Sequence, residues 1–234
     1  MIICIETSTP VCSATLCDRS GVIDIRESHD GRSHASLLTV FIEDLLGDAG
    51  LSVGDLEAVA VSKGPGSYTG LRIGVSVAKG MAFGASIPLI GIETPLSMFF
   101  GLNDEMKKSC SADETTLFCP MLDARRMEVY YALFDTKGKK TGEITAAVID
   151  ENSFSSIPEQ VRIIFFGDGA AKCSGVIGRN NICFAGEFSI SAGSMARPAY
   201  NAIDVNRYED TAYFEPFYLK DFVTTSPVKN IPGR

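Results

Sequence analysis

The chain places an acidic residue, Glu6, at the end of an apolar run and follows it at once with three hydroxyl side chains, Thr7, Ser8 and Thr9. A carboxylate beside a hydroxyl-rich turn is equipment for touching phosphates and a magnesium-bound water, and it is also an ordinary way to close a hairpin. GDGA, residues 167–170, is a glycine-rich turn in which Gly167, Asp168 and Gly169 offer backbone approach to a nucleoside, or packing alone. GPGSYTGLRIG, residues 64–74, has the look of a phosphate cradle without its chemistry. Its glycines follow GxGxxxG rather than GxGxxG or GxxxxGKS/T, Pro65 lacks an N–H, and no lysine opens the following helix. Metal chemistry has less to work with. The two histidines are His29 and His34, and the residue four beyond His34 is Leu38, so no HxxxH pair forms and no metal site is expected. Ser33 beside His34 is no dyad, because adjacent helix positions point apart. No residue is assigned a catalytic role.

The helix after the glycine turn is unusual for what it lacks. Gly70, Gly74 and Ala78 recur every fourth residue, and Ser76, Gly80 and Gly84 do the same on a neighbouring face. A glycine inside a helix costs roughly 0.8–1 kcal/mol relative to alanine. The compensation is a close approach, either of the chain's own sheet or of another molecule, and both readings stand.

The elements that position these residues follow from periodicity. Ile2 to Glu6, Val11 to Cys17 and Val22 to Ser28 read as three strands, and Leu37, Leu38, Phe41, Ile42, Leu45 and Leu46 keep helical spacing after a cap at Ser33 or Ser36. A strand at Leu56 to Val61, the helix Thr69 to Gly84, a strand at Pro88 to Ile92 and a helix opened by Thr94 and Pro95 complete the first half. Polar residues from Asn103 to Thr115 mark a boundary. Strands are then expected at Leu117 to Leu122, Met127 to Phe134, Glu143 to Ile149 and Arg162 to Phe166. Ser153 to Gln160 reads as loop or short helix, GDGA leads into a further helix, and a short strand near Ile182 precedes a helix from Ala192 to Tyr208. Two βββαβα-type lobes, 1–103 and 104–221, with an irregular tail 222–234, give the layout of an α/β actin-like ATPase, or ribonuclease H-like, fold.

Composition narrows the setting. With 234 residues, 45% hydrophobic and 21% charged, the chain can bury a sizeable core. No apolar run approaches the ~18 residues of a membrane span, and the opening resembles a strand rather than a signal peptide, so the cytoplasm is the expected location and no membrane partner is expected. Seven cysteines without a CxxC pair are read as reduced, buried thiols. A net charge of −8 opposes a polyanion, and the short runs Lys107–Lys108, Arg125–Arg126 and Lys137, Lys139, Lys140 read as solvated turns, so the chain is not the principal surface for RNA.

IICIETST at the start, GPGSYTGLRIG, DARRMEVYYALF at 123–134 and FEPFYLK near the end resemble the TsaB, or YeaZ, family of tRNA threonylcarbamoyladenosine biosynthesis proteins, over residues 1 to about 220. The resemblance implies a non-catalytic scaffold without a cofactor. It forms a heterodimer with the TsaD transferase, its paralogue, is joined by the TsaE ATPase, meets tRNA only through that complex, and self-associates as a homodimer when alone. The implied interface comes from the first two helices: His34, Leu37, Leu38 and Phe41 on one, and Gly70, Leu71, Arg72, Gly74, Val77, Ala78 and Met81 on the other. Glu6 stands where aspartate is usual in such folds, and Met127 where glycine is common. The rival reading is a nucleotide-binding ATPase or phosphotransferase, with Glu6, Thr7, Ser8, Thr9, Gly167, Asp168 and Gly169 facing the nucleotide.

Overall fold

In the computed structural model, residues 1–31 and 34–219 are described; Ser33 and the tail 222–234 lie outside the described residues. The first five strands, β1 (Ile2–Glu6), β2 (Cys12–Asp18), β3 (Gly21–Ser28), β4 (Ala58–Gly64) and β5 (Leu89–Glu93), form one sheet in the order β3-β2-β1-β4-β5. β1 to β3 run as an antiparallel meander, and β4 and β5 join in parallel. The second sheet is built from β6 (Leu117–Asp123), β7 (Glu128–Tyr131), β8 (Thr145–Val148), β9 (Ile163–Phe166) and β10 (Ile182–Phe184). Read from β8, its order is β8-β7-β6-β9-β10, the first sheet's plan repeated, with the same antiparallel and parallel joins. The duplication is that of the actin-like, ribonuclease H-like α/β fold.

Local sequence explains the central strands. IICIE is buried along its whole length, which a strand covered on both faces requires, and its apolar run is accordingly continuous rather than alternating. β3 is one of the two edge strands, and it carries Asp24, Arg26 and Glu27, charges that discourage pairing with another chain. On one face of this sheet lie α1 (His34–Asp48) and α2 (Tyr68–Ala85), with Leu38, Leu45, Val75, Ala78 and Ala82 packed on Ile3, Ile5 and Val59. α3 (Thr94–Gly101), with Pro95 in its first turn, carries Met98 and Phe99 into an apolar cluster with Phe118 and Phe134 of the second half.

Several expectations need correction. The polar stretch 103–115 holds a short helix, α4 (Asp104–Ser109), capped by the Asn103 side chain, which accepts from Met106 N at 2.8 Å. GDGA is followed not by an α-helix but by a single 3-10 turn, Ala171–Cys173, because Gly167 and Gly175 both adopt positive φ and leave too little chain between them. Residues 192–208 divide into a 3-10 turn, Ala192–Met195, and α5 (Ala196–Asp204). These two do not stay with the second sheet. They cover the other face of the first, where Ala192, Met195, Ala199 and Ala202 meet Ile2, Cys4, Ala60 and Ile92. The chain then runs back along the first lobe, with Glu209 N donating to Leu89 O at 2.8 Å and Phe217 N to Lys63 O at 2.6 Å. The span 104–221 is therefore not one lobe from end to end. Cys110 and Cys183, 73 residues apart with Cα atoms 5.7 Å from one another, form a disulfide rather than remaining reduced; the other five cysteines are free and buried.

The two small-residue stripes of α2 have opposite fates. A Cβ built on Gly70 would overlap Thr7 O, and one on Gly74 would overlap the Thr7 hydroxyl, so this stripe is how the helix seats against the end of β1. Ala78, fully buried, continues it. At Gly80 and Gly84 an added Cβ meets nothing within 4 Å. Gly74→Ala should therefore lose about 1–3 kcal/mol through overpacking, while Gly80→Ala should gain up to about 1 kcal/mol of helix propensity. Urea unfolding of both variants checks this; equal effects would mean that the stripes are not differently seated.

Candidate functional site

Two places collect the residues singled out by sequence: the turn that follows β1, and the outer side of α1 and α2. At the first, Glu6 is turned inward. It is fully buried, and its Oε1 accepts from Ser8 N at 2.6 Å and from the Ser62 hydroxyl at 2.8 Å, while Oε2 has no partner. Burial pushes its pKa up, and the hydrogen bonds from Ser8, Ser62 and Thr7 pull back against that. Thr7 and Ser8 lie beneath α2, with their hydroxyls buried and unpartnered. Ser8 O accepts from Ser67 N at 2.6 Å and a Cβ on Gly66 would overlap it. Ser67 in turn caps α2, its hydroxyl accepting from Gly70 N at 3.2 Å. Gly66, Gly70 and Gly74 thus serve a tight crossing of helix and strand end.

This geometry removes most of the nucleotide-facing set. Glu6, Thr7 and Ser8 are covered by their own chain. Gly167 and Gly169 are packed on Met121 O and on the Leu122 backbone, where a Cβ would not fit. Thr9 and Asp168 alone of the seven reach a common cavity, together with His29 and a mainly apolar wall of Val11, Met98, Leu122, Phe188 and Ile190. Its volume of about 260 Å³ lies below the roughly 300–1,000 Å³ of small-molecule sites, and among the described residues no lysine or arginine lines it. Asp168 is the carboxylate that phosphoryl transfer there would have, but no cation among the described residues lines the cavity to meet the phosphates.

The expected partner-facing set divides in the same way. His34, 9% exposed, places Nε2 3.0 Å from Thr9 O and 3.2 Å from Val11 O, tying the start of α1 to the turn after β1 rather than reaching outward. Leu38, Leu71 and Ala78 are fully buried, and Gly70 and Gly74 face β1, so these five belong to the core instead of an interface. Arg72 is exposed but engaged: its guanidinium lies 4.0 Å from the Tyr68 ring centroid and its Nε donates to the Tyr218 hydroxyl at 3.2 Å. Leu37, Phe41, Val77 and Met81 are half-buried at the border.

What remains are uncovered side chains on the two helices that the sequence reading named only in part. Val40, 44% exposed, stands on α1, and Phe83, 80% exposed, stands on α2. Half-buried Ile73 and Val77 and exposed Ser76, Gly80 and Gly84 complete the set. Helical phase sets Ser76 about 160° from Gly74 and Gly80 about 120° from it, while Gly84 lies only about 40° from Gly70 and some four turns further along the axis.

The comparisons with known proteins can now be set beside this geometry. Residues 28–188 match the family TsaD, tRNA N6-adenosine threonylcarbamoyltransferase. The chain is 30% identical to the tRNA threonylcarbamoyladenosine biosynthesis protein TsaB of Escherichia coli K12, over 100% of this chain and 99% of that one. Among solved structures, it is similar to a Pseudomonas aeruginosa protein described as having similarity to peptidase YEAZ, with a TM-score of 0.78 at 22% identity, covering 94% of this chain and 99% of that chain. YeaZ from the same organism gives a TM-score of 0.76 at 21% identity, covering 93% and 99%.

The raised pKa of Glu6 has a thermodynamic consequence. The folded state holds this proton more tightly than the unfolded chain, so its contribution to stability is full below the ordinary carboxylate value of about 4.3 and is lost as pH rises through the folded value. Glu6→Gln keeps the amide oxygen as acceptor for Ser8 N and Ser62 and removes that loss. Urea melts should show the variant gaining on the wild type between pH 4 and pH 7; a constant difference would mean the carboxylate is not destabilised by burial.

Proposed function

The chain belongs to the TsaB family, within the wider reach of the TsaD family, and we propose that it serves tRNA threonylcarbamoyladenosine biosynthesis as a subunit that supplies a surface rather than reacting groups. Its partner on this reading is a TsaD-like transferase, gripped in the cytoplasm by the outer side of α1 and α2. A TsaE-like ATPase joins the pair, and tRNA is met only through the assembled complex. The observation that carries the reading is the uncovered apolar side of α2, where exposed Phe83 stands one turn from Gly80, at which nothing crowds the helix. Small residues let a second helix come close, and one large aromatic beside them has the character of an anchor. The inward carboxylate of Glu6 supports the other half, since a group with both oxygens enclosed by its own chain is a poor ligand for substrate or magnesium.

When the transferase is absent, the same face is available to a second copy, and a homodimer would cover it with the same patch on both molecules. A contact of standard size buries on the order of 1,600 Å² in total.

The reading is tested by Phe83→Asp, which puts an unpaired charge at the centre of the face without touching the core. Pull-down by the TsaD-like partner and homodimerisation should both fall at least about 10-fold, with circular dichroism unchanged. In reconstituted tRNA modification, the variant should behave like omission of the chain. Undiminished binding would move the interface elsewhere, and modification at full rate without any of this chain would end the scaffold reading.

A further inference from the structure

A cavity of about 580 Å³ lies away from the turn after β1 and from the outer side of α1 and α2. β1 ends at Glu6, and β2 returns antiparallel beside it with Ile2 opposite Cys17, so the β2–β3 turn lies at the end of the sheet opposite the Glu6 turn. Asp18 to Gly21 of that turn form one wall. Thr136 and Lys137, in the β7–β8 connection, form another. The duplicated fold makes these two connections equivalent, so the cavity is made by matching hairpins of the two halves, with α3, α4 and α5 closing it.

Its charge runs against that of the chain. Arg19, Lys107, Lys137 and Arg197 line it, against the carboxylates of Asp18 and Asp204. Both carboxylates are already engaged: Asp204 accepts from Arg19 Nη1 at 2.8 Å, and Asp18 accepts from the Ser20 hydroxyl at 2.6 Å and Ser20 N at 2.7 Å. Lys107 has only a 3.8 Å approach to Asp104, whose side chain is 87% exposed. Lys137 and Arg197 have no carboxylate partner among the described residues. Three of the cations are held over rings, with Arg197 5.2 Å from the centroid of Phe100, Arg19 4.9 Å from that of Tyr200 and Lys107 5.9 Å from that of Phe99. Tyr200 is itself fixed, its hydroxyl donating to Cys17 O at 3.4 Å. Rings beneath cations position the charge while leaving its hydrogen-bond donors free.

We infer that this cavity binds a small molecule bearing a polyphosphate. Its volume is of ligand size, and guanidinium and ammonium groups that line one hollow attract a compact anion. A nucleic-acid strand fits less well. It would extend beyond the cavity over a chain of net charge −8, whose repulsion decays over a Debye length of about 8 Å at physiological salt. Phe99 and Tyr200 are buried at 4% and 7% exposure, which leaves them unable to serve as platforms for stacked bases. The site stands apart from the proposed interface and does not depend on it.

Calorimetric titration of the purified chain with tripolyphosphate and with ATP tests the assignment, with a fluorescent single-stranded RNA as a third probe. Both small anions should bind, and the double variant Lys137→Glu/Arg197→Glu should weaken them at least about 10-fold, while Lys139→Glu, on the same connection but outside the cavity, should change binding less than about 2-fold. All three charges sit on exposed side chains, and circular dichroism verifies that each variant folds. Absence of tripolyphosphate and ATP binding, equal loss in Lys139→Glu, or binding of the RNA alone would each overturn it.

Discussion

The crossing of α2 over the end of β1 is the contact on which the remaining architecture depends. Gly66, Gly70 and Gly74 bring the helix so near that no side chain fits between them and Thr7 and Ser8. That closeness has two results. It shuts Glu6, Thr7 and Ser8 beneath the helix, where a ligand cannot reach them, and it fixes the rotation of α2 about its axis. With Gly74 and Ala78 facing inward, Ser76 and Gly80 are turned away from the sheet, and an added Cβ at Gly80 meets nothing within 4 Å. The same steric fact closes the Glu6 turn and leaves this side of the helix uncovered.

The carboxyl-terminal segment braces this arrangement from the side. Lys79 Nζ donates to Phe214 O at 2.9 Å, the rings of Tyr68 and Tyr218 approach to 4.9 Å, and Phe214 enters the core beneath α2. FEPFYLK, distant from the glycine turn in sequence, is thus part of the same local structure up to Leu219. Further along the fold the pseudo-symmetry of the halves becomes useful. The ends of β1 and β6 face the apolar cleft, while the opposite ends, through equivalent hairpins, gather the cations of the larger cavity.

Much of this was legible from residue pattern. Ile2–Glu6 matched to the residue, and α2 and β5 matched within one residue at each end, because buried apolar runs and clear turn residues leave few alternatives. β4 was read too early, at Leu56 to Val61 rather than Ala58–Gly64, since the strand continues into the glycine turn itself. What failed depended on long-range contact. Nothing local discloses that Ala192 to Asp204 leave the second half to cover the first sheet, or that Cys110 meets Cys183 across 73 residues. The stripe of Gly70, Gly74 and Ala78 was seen correctly as a place of close approach, but periodicity states that something comes near without stating what. What comes near is the chain's own Thr7. Glu6 failed for a similar reason: a carboxylate at a strand end is marked by its position, whereas its inward rotamer is set by Ser8 and Ser62, the latter 56 residues away.

The orientation of α2 is tested most directly by photo-crosslinking from a benzophenone side chain placed at position 83, with a second version carrying it at position 20 on the far hairpin. Mixed with the TsaD-like partner, the chain labelled at 83 should become covalently joined to it and the chain labelled at 20 should not. Crosslinking from position 20 with none from position 83 would contradict the account, because the outer side of α2 would then not be the side that meets its neighbour.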